Sequence, residues 1–214
     1  MEPTDHNLRA WDELHRRRAT PAGEPVLPGP VRHALADLNG KRVLAIQCGT
    51  GESAAQLAEL GATVTGVDSS AEALAAARER WPRILWIVGE PQALPRELRR
   101  GRFDLVYAGW NIEWLDDLDA WATGIAAALV PGGDLLLFDE HPSAKAVDGL
   151  MHWREDYFKE EPQLRSWRLG QIVNAIARAG LGVRVLEEYP QQPGNPRHHD
   201  ARIPGTFLLH AQRR

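Results

Sequence analysis

Cysteine is nearly absent from this 214-residue chain: Cys48 stands alone, so no intrachain disulfide forms and an oxidising compartment offers the fold nothing. No apolar run approaches the ~20 residues of a membrane-spanning helix, and the first residues, with Asp5, His6 and Arg9, lack the apolar core of a signal peptide. A soluble cytoplasmic protein without membrane contact is the expectation. Charge of one sign is lacking as well. The net charge of −4 argues against a general nucleic-acid binder, and the basic run Arg16-Arg17-Arg18 reads as a solvated helix end. No internal repeat or long low-complexity run breaks the pattern. With 43% hydrophobic and 25% charged residues, the chain has the composition of a globular protein and suffices for one domain with a substantial core.

What the chain does contain is concentrated between Val43 and Ser70, in VLAIQCGTGESAAQLAELGATVTGVDSS. An apolar strand runs into Gly49-Thr50-Gly51, a helix follows, and a second strand ends on Asp68, which is the pattern of a nucleotide-binding βαβ unit. Glycines let the backbone turn sharply and approach a ligand, and a carboxylate ending the second strand suits ribose hydroxyls. Taken literally, Gly49-x-Gly51-x-x-Ala54 with Asp68 seventeen residues after Gly51 is a degenerate dinucleotide fingerprint, a weak signal by itself.

Three further segments follow in order: IVGEPQALP from Ile87 to Pro95, FDLVYAGW from Phe103 to Trp110, and LVPGGDLLLFDEHP from Leu129 to Pro142. Together with AIQCGTG they make the chain resemble the class I S-adenosylmethionine-dependent methyltransferases, from about Lys41 to Pro142. That family's first motif usually reads acidic-x-Gly-x-Gly-x-Gly. Here Ala45 replaces the acidic residue that helps hold the methionine end of the cofactor, and Gln47 replaces the first glycine. The resemblance implies S-adenosyl-L-methionine as cofactor, held by Gln47, Gly49, Thr50 and Gly51, with Asp68 and Ser69 at the ribose and Glu90 and Pro91 at the adenine. Trp110 and Trp114 are candidate pocket walls, and Trp11 is a candidate cap over the cofactor. Asn7-x-x-Ala10-Trp11-Asp12-Glu13 and Glu140-His141-Pro142 look like a bacterial, small-molecule subgroup. Two rival readings remain: a cofactor-binding module without catalysis, and a nicotinamide-dependent oxidoreductase, disfavoured by the segment order and by the lack of room for a large substrate domain.

Periodicity supplies the rest of the architecture. Leu8, Trp11 and Leu14 lie at helical spacing within residues 5 to 19, the Pro- and Gly-rich residues 20 to 30 form a linker or a loop laid over the domain, and a short helix runs through Leu38 to Asn39-Gly40. Strands are expected at Arg42 to Gln47, Thr63 to Val67, Ile84 to Val88, Phe103 to Ala108 and Asp134 to Asp139. Helices fall between them at Glu52 to Leu60, Ser70 to Arg80 and Asp116 to Leu129, so the fold class is α/β, a doubly wound and mostly parallel sheet covered on both faces. The resemblance adds two last strands, Leu181 to Glu188 and Gly205 to Ala211, making seven with the last antiparallel. The organisation is then an N-terminal helical lid over 1–38, a cofactor-binding core over 41–139, a substrate-capping insertion over 140–165, and a C-terminal helix with two strands over 166–214.

Methyl transfer to an O, N, S or C nucleophile is an in-line displacement, so the protein mainly positions a small-molecule acceptor and, where needed, removes its proton. His141, just past strand five, is the candidate general base; Asn111 and Glu113 after strand four, and Tyr157 in the insertion, are candidate acceptor contacts. No metal is expected, because the adjacent His198-His199-Asp200 has no second cluster of zinc-like spacing. Cys48 reads as packing rather than nucleophile. The Asn/Asp-Pro-Pro-aromatic motif of DNA amino-methyltransferases is replaced by Gly109-Trp110-Asn111-Ile112, and a monomer or homodimer is expected.

Overall fold

The structure, a computed structural model, describes residues 27–110, 112–146, 167–190 and 203–214. The expected N-terminal helix with Trp11, the basic run, Asn111, Tyr157 and most of the expected 140–165 insertion, and His198-His199-Asp200 lie outside the described residues.

Seven strands make one sheet: β1 (Arg42–Ile46), β2 (Thr63–Asp68), β3 (Leu85–Val88), β4 (Phe103–Gly109), β5 (Leu129–Glu140), β6 (Leu181–Pro190) and β7 (Pro204–Arg213). Their order is β3-β2-β1-β4-β5-β7-β6. The first five run parallel, and β7 is antiparallel to both β5 and β6. Around them lie α1 (Gly29–Ala34), α2 (Glu52–Glu59), α3 (Ala71–Arg80), α4 (Leu118–Ala128), α5 (Pro142–Ala146) and α6 (Leu169–Arg178).

The strands separate two cores, and their sequence alternation decides which side chain enters which. Leu44 and Ile46 of β1, Val106 of β4 and Leu135 and Leu137 of β5 pack against Trp121 and Ile125 of α4 and Ile172 and Ile176 of α6. The intervening Val43 and Ala45, Leu105 and Tyr107, and Leu136 and Phe138 face Val31 of α1, Leu57 of α2 and Leu74 of α3. A central strand buried on both faces needs a continuous apolar run, which is why VLAI is unbroken.

Several boundaries differ from the sequence reading. Helix α1 ends at Ala34, because Leu35 is extended, and the Leu38-to-Gly40 segment is a turn with Gly40 at φ 69°. Pro30 lies in the first helical turn, so part of the expected linker starts a helix. Strand β5 begins at Leu129 rather than Asp134: Leu129 pairs with Phe103 and Asp134 with Leu105, which leaves the Pro131-Gly132-Gly133 stretch as a bulge inside the strand. The start of the 140–165 insertion is regular, forming α5 directly after β5.

Candidate cofactor site

Strand order reverses between β1 and β4, where successive connections leave on opposite sides and a crevice opens at the carboxyl ends. The β1–α2 loop fills its floor. Gln47, Gly49 and Gly51 all take left-handed backbone, at φ 51°, 54° and 90°. Gln47 holds its conformation against a cost of about 1–2 kcal/mol for a residue with a Cβ. The loop is tied to the sheet by the Cys48 N–H, which donates to the Val67 carbonyl at 3.3 Å.

Asp68 organises the site. One carboxylate oxygen accepts the Gly49 N–H at 2.8 Å and the other accepts the Ser70 N–H at 2.9 Å, which fixes the group between loop and helix α3. Ser70 caps α3 by accepting the Ala73 N–H at 3.1 Å. Glu90 follows β3, and burial, then Asp68 and Asp116, hold its carboxyl above the usual range. Gln92 accepts the N–H groups of Asp116 and Asp117, each at 2.9 Å, and so joins this loop to the start of α4.

Gln47, Gly49, Thr50, Asp68, Ser69, Glu90 and Pro91 therefore share one cleft. Gly51 lies behind it. A Cβ there meets the Trp86 ring at 2.5 Å and Ala77 at 3.2 Å, so packing of α2 against β3 and α3 by itself demands the glycine. Of the two tryptophans it is Trp114 that lines the cleft; Trp110, with backbone at φ 62°, turns outward, 46% exposed, its ring edge-on to Phe138. Cys48 also lines the cleft, and burial, followed by the Asp68 charge, pushes its thiol well up, which keeps it protonated and poorly nucleophilic.

The acceptor-side residues stand differently. His141 is only 6% exposed and is not on the cleft wall; its backbone N–H donates to the Gly205 carbonyl. Nδ1 accepts the Ser143 N–H at 3.2 Å and lies 2.6 Å from the Ser143 hydroxyl, while Nε2 lies 2.8 Å from Glu188 on β6. Burial lowers its pKa, against an upward pull from Glu188. Glu113 sits half-buried on a 3-10 turn, Ile112–Trp114, anchored by buried Asp139, which accepts the Ile112 N–H at 2.9 Å.

Sequence reading missed Tyr107 and Ser53 on the cleft wall and Asp139 beneath it. For Tyr107 a signal existed, a polar-tipped residue on the same face as Leu105 near the carboxyl end of an apolar strand. The wall carries the carboxylates Glu52, Asp68 and Glu90; Arg80, which does not line the cleft, pairs with Glu52 at 2.5 Å, and no lysine or arginine lines it among the described residues. That donor set fits a cationic, hydroxyl-bearing nucleoside such as S-adenosylmethionine and opposes the pyrophosphate of a dinucleotide.

Comparison with known proteins agrees. A family model described as a methyltransferase domain matches residues 43–133. The trans-aconitate 2-methyltransferase of Variovorax paradoxus is 30% identical over 200 residues, covering 88% of this chain and 74% of that protein. An uncharacterized methyltransferase of Synechocystis is 35% identical over 109 residues, 50% of each chain. The chain spans about half the length of this and other curated relatives it matches. An S-adenosylmethionine-dependent methyltransferase from Mesorhizobium loti has the same fold, with a TM-score of 0.71 at 24% identity over 85% of this chain and 95% of that one. By sequence and by architecture, the chain belongs to the S-adenosylmethionine-dependent methyltransferases.

Proposed function

We propose that this protein transfers the methyl group of S-adenosylmethionine to a small-molecule acceptor. The observation that carries the reading is the acid-walled cleft at the switch point, in which Asp68 is fixed by two backbone N–H groups and needs no reorganisation to receive a ribose diol. The bound cofactor supplies an electrophilic sulfonium methyl group. The residues of the chain supply placement: Asp68 and Ser69 orient the ribose, Glu90 and Pro91 border the adenine, and Gln47, Gly49 and Thr50 form the floor.

Positioning, with little proton transfer, is the catalytic device that the described residues support best. His141 reads as a strut between α5 and β6, because Nδ1 accepts the Ser143 N–H, Nε2 stands 2.8 Å from Glu188 without hydrogen-bond geometry, and the ring is buried. Glu113, carried beside the cleft by the 3-10 turn, is the candidate acceptor contact, with Asn111 and Tyr157 as further candidates outside the described residues. Among the described residues no helix is long and apolar enough to cross a membrane, and a cytoplasmic monomer or homodimer is the working picture.

The relatives named for trans-aconitate, demethylmenaquinone and ubiquinone biosynthesis set the order of an acceptor screen, with small polycarboxylic acids and quinols first. Purified protein is incubated with methyl-labelled S-adenosylmethionine and each acceptor. Label in the acceptor with matching release of S-adenosylhomocysteine is the expected result. Cofactor binding without turnover across carboxylates, phenols, amines and thiols counts for a non-catalytic binder.

A further inference from the structure

We propose that the Tyr107 hydroxyl holds the carboxylate of the cofactor's amino-acid end. The inference rests on the cofactor reading above and assigns a residue that the sequence did not single out.

Placement comes first. The cleft crosses the carboxyl ends of β3, β2, β1 and β4 in that spatial order. With the ribose at Asp68 on β2 and the adenine on the β3 side at Glu90, the arm bearing sulfur and the amino acid extends toward β1 and β4. Tyr107 lies there. It pairs in register with Ala45 of β1, and both face the same core. Ala45 brings only a methyl group to this end of the cleft, so the phenol is the polar contribution of the β1–β4 pair. A Cβ on Gly109 meets the Tyr107 hydroxyl oxygen at 2.6 Å, so a glycine at 109 is what lets the phenol reach the strand end.

Ser53, in the first turn of α2, is a hydrogen-bond partner of the phenol, and a phenol that accepts from it keeps its own hydrogen for a ligand acceptor. Burial, with the Asp139 charge adding to it, keeps the phenol neutral, so it is a donor at any physiological pH. Of the charged groups on the wall, Glu52 is paired with Arg80 at 2.5 Å, while Asp68 and Glu90 remain on the ribose and adenine side and disfavour a ligand carboxylate there. Tyr107 offers instead a neutral donor beside the first turn of α2, a helix whose N-cap Gly51 has no capping side chain.

The test is calorimetric titration of wild type and Tyr107→Phe with S-adenosylhomocysteine, its decarboxylated analogue and 5′-methylthioadenosine. The variant is expected to lose roughly tenfold or more in affinity for S-adenosylhomocysteine, the scale of a hydrogen bond to a charged group, and to bind the two ligands without a carboxylate as wild type does. Equal weakening of all three, or no weakening, overturns the assignment. Failure of wild type to bind any of the three overturns the cofactor reading itself, and the assignment with it. Ser53→Ala reads the same contact without altering the buried phenol: a loss selective for S-adenosylhomocysteine supports the proposal, and an unselective or absent loss counts against it.

Discussion

Gly51→Ala separates a glycine kept for packing from one kept for ligand. At φ 90° an added Cβ incurs left-handed strain of about 1–2 kcal/mol. The same Cβ comes within 2.5 Å of the Trp86 ring and 3.2 Å of Ala77. The indole cannot easily retreat, since its N–H donates to the Trp81 carbonyl at 3.1 Å and the ring is buried. Overpacking of this kind costs about 1–3 kcal/mol. The total is roughly 2–5 kcal/mol, a large part of a typical stability of about 5–15 kcal/mol. Urea denaturation measures the loss, and titration of the folded variant with S-adenosylhomocysteine is expected to show nearly wild-type affinity. Adding Trp86→Leu relieves the clash and leaves the backbone strain, so the double variant is more stable than the sum of the single effects implies. A Gly51→Ala protein of wild-type stability but lost affinity refutes this reasoning and returns Gly51 to the ligand.

Three other substitutions probe separate links. Burial holds His141 below the ordinary histidine value, so the unfolded chain takes up the proton first on acidification and stability is lost as pH falls below about 6.5, by at most ~1.4 kcal/mol per pH unit. His141→Gln is expected to flatten urea midpoints measured from pH 7.5 to 5, and an unchanged slope contradicts the assignment. Glu90 carries a raised pKa, so its charge is lost on acidification earlier than that of an ordinary carboxylate. Glu90→Gln is expected to weaken S-adenosylmethionine binding roughly fivefold and to flatten its acid dependence; equal pH profiles by calorimetry count against an adenine-side role. Ser70→Ala removes the cap on α3 and is expected to cost about 1 kcal/mol in urea denaturation, with a null result assigning the cap to backbone alone.

Much of this arrangement was legible because it is local. The unbroken VLAI of β1, the glycines after it and Asp68 at the end of β2 are each set by neighbours within a few residues, and the structure gathers Gly49 and Asp68 through one hydrogen bond. What escaped depends on distant partners. The reason for Gly51 is Trp86 on another strand. Trp110 and Trp114 have the same chemistry, and a left-handed backbone at Trp110, stabilised by its N–H on the Phe138 carbonyl, sends one out and leaves the other in. Strand-end position marked His141, but only the insertion of antiparallel β7 between β5 and β6 brings Glu188 to its ring. The β5 start was misplaced because a Pro-Gly-Gly stretch reads as a terminator, while the ladder resumes pairing on its far side with Leu129.

The most direct test of the central claim is calorimetric titration of S-adenosylhomocysteine into wild type and into Asp68→Ala, with thermal melting to establish that the variant is folded. Wild type is expected to bind one equivalent and to ignore NAD. The variant, lacking the charged acceptor that Gly49 and Ser70 hold in place, is expected to bind about ten- to a hundredfold more weakly. Binding of NAD in preference to S-adenosylhomocysteine, or equal affinity in a folded Asp68→Ala protein, contradicts the account.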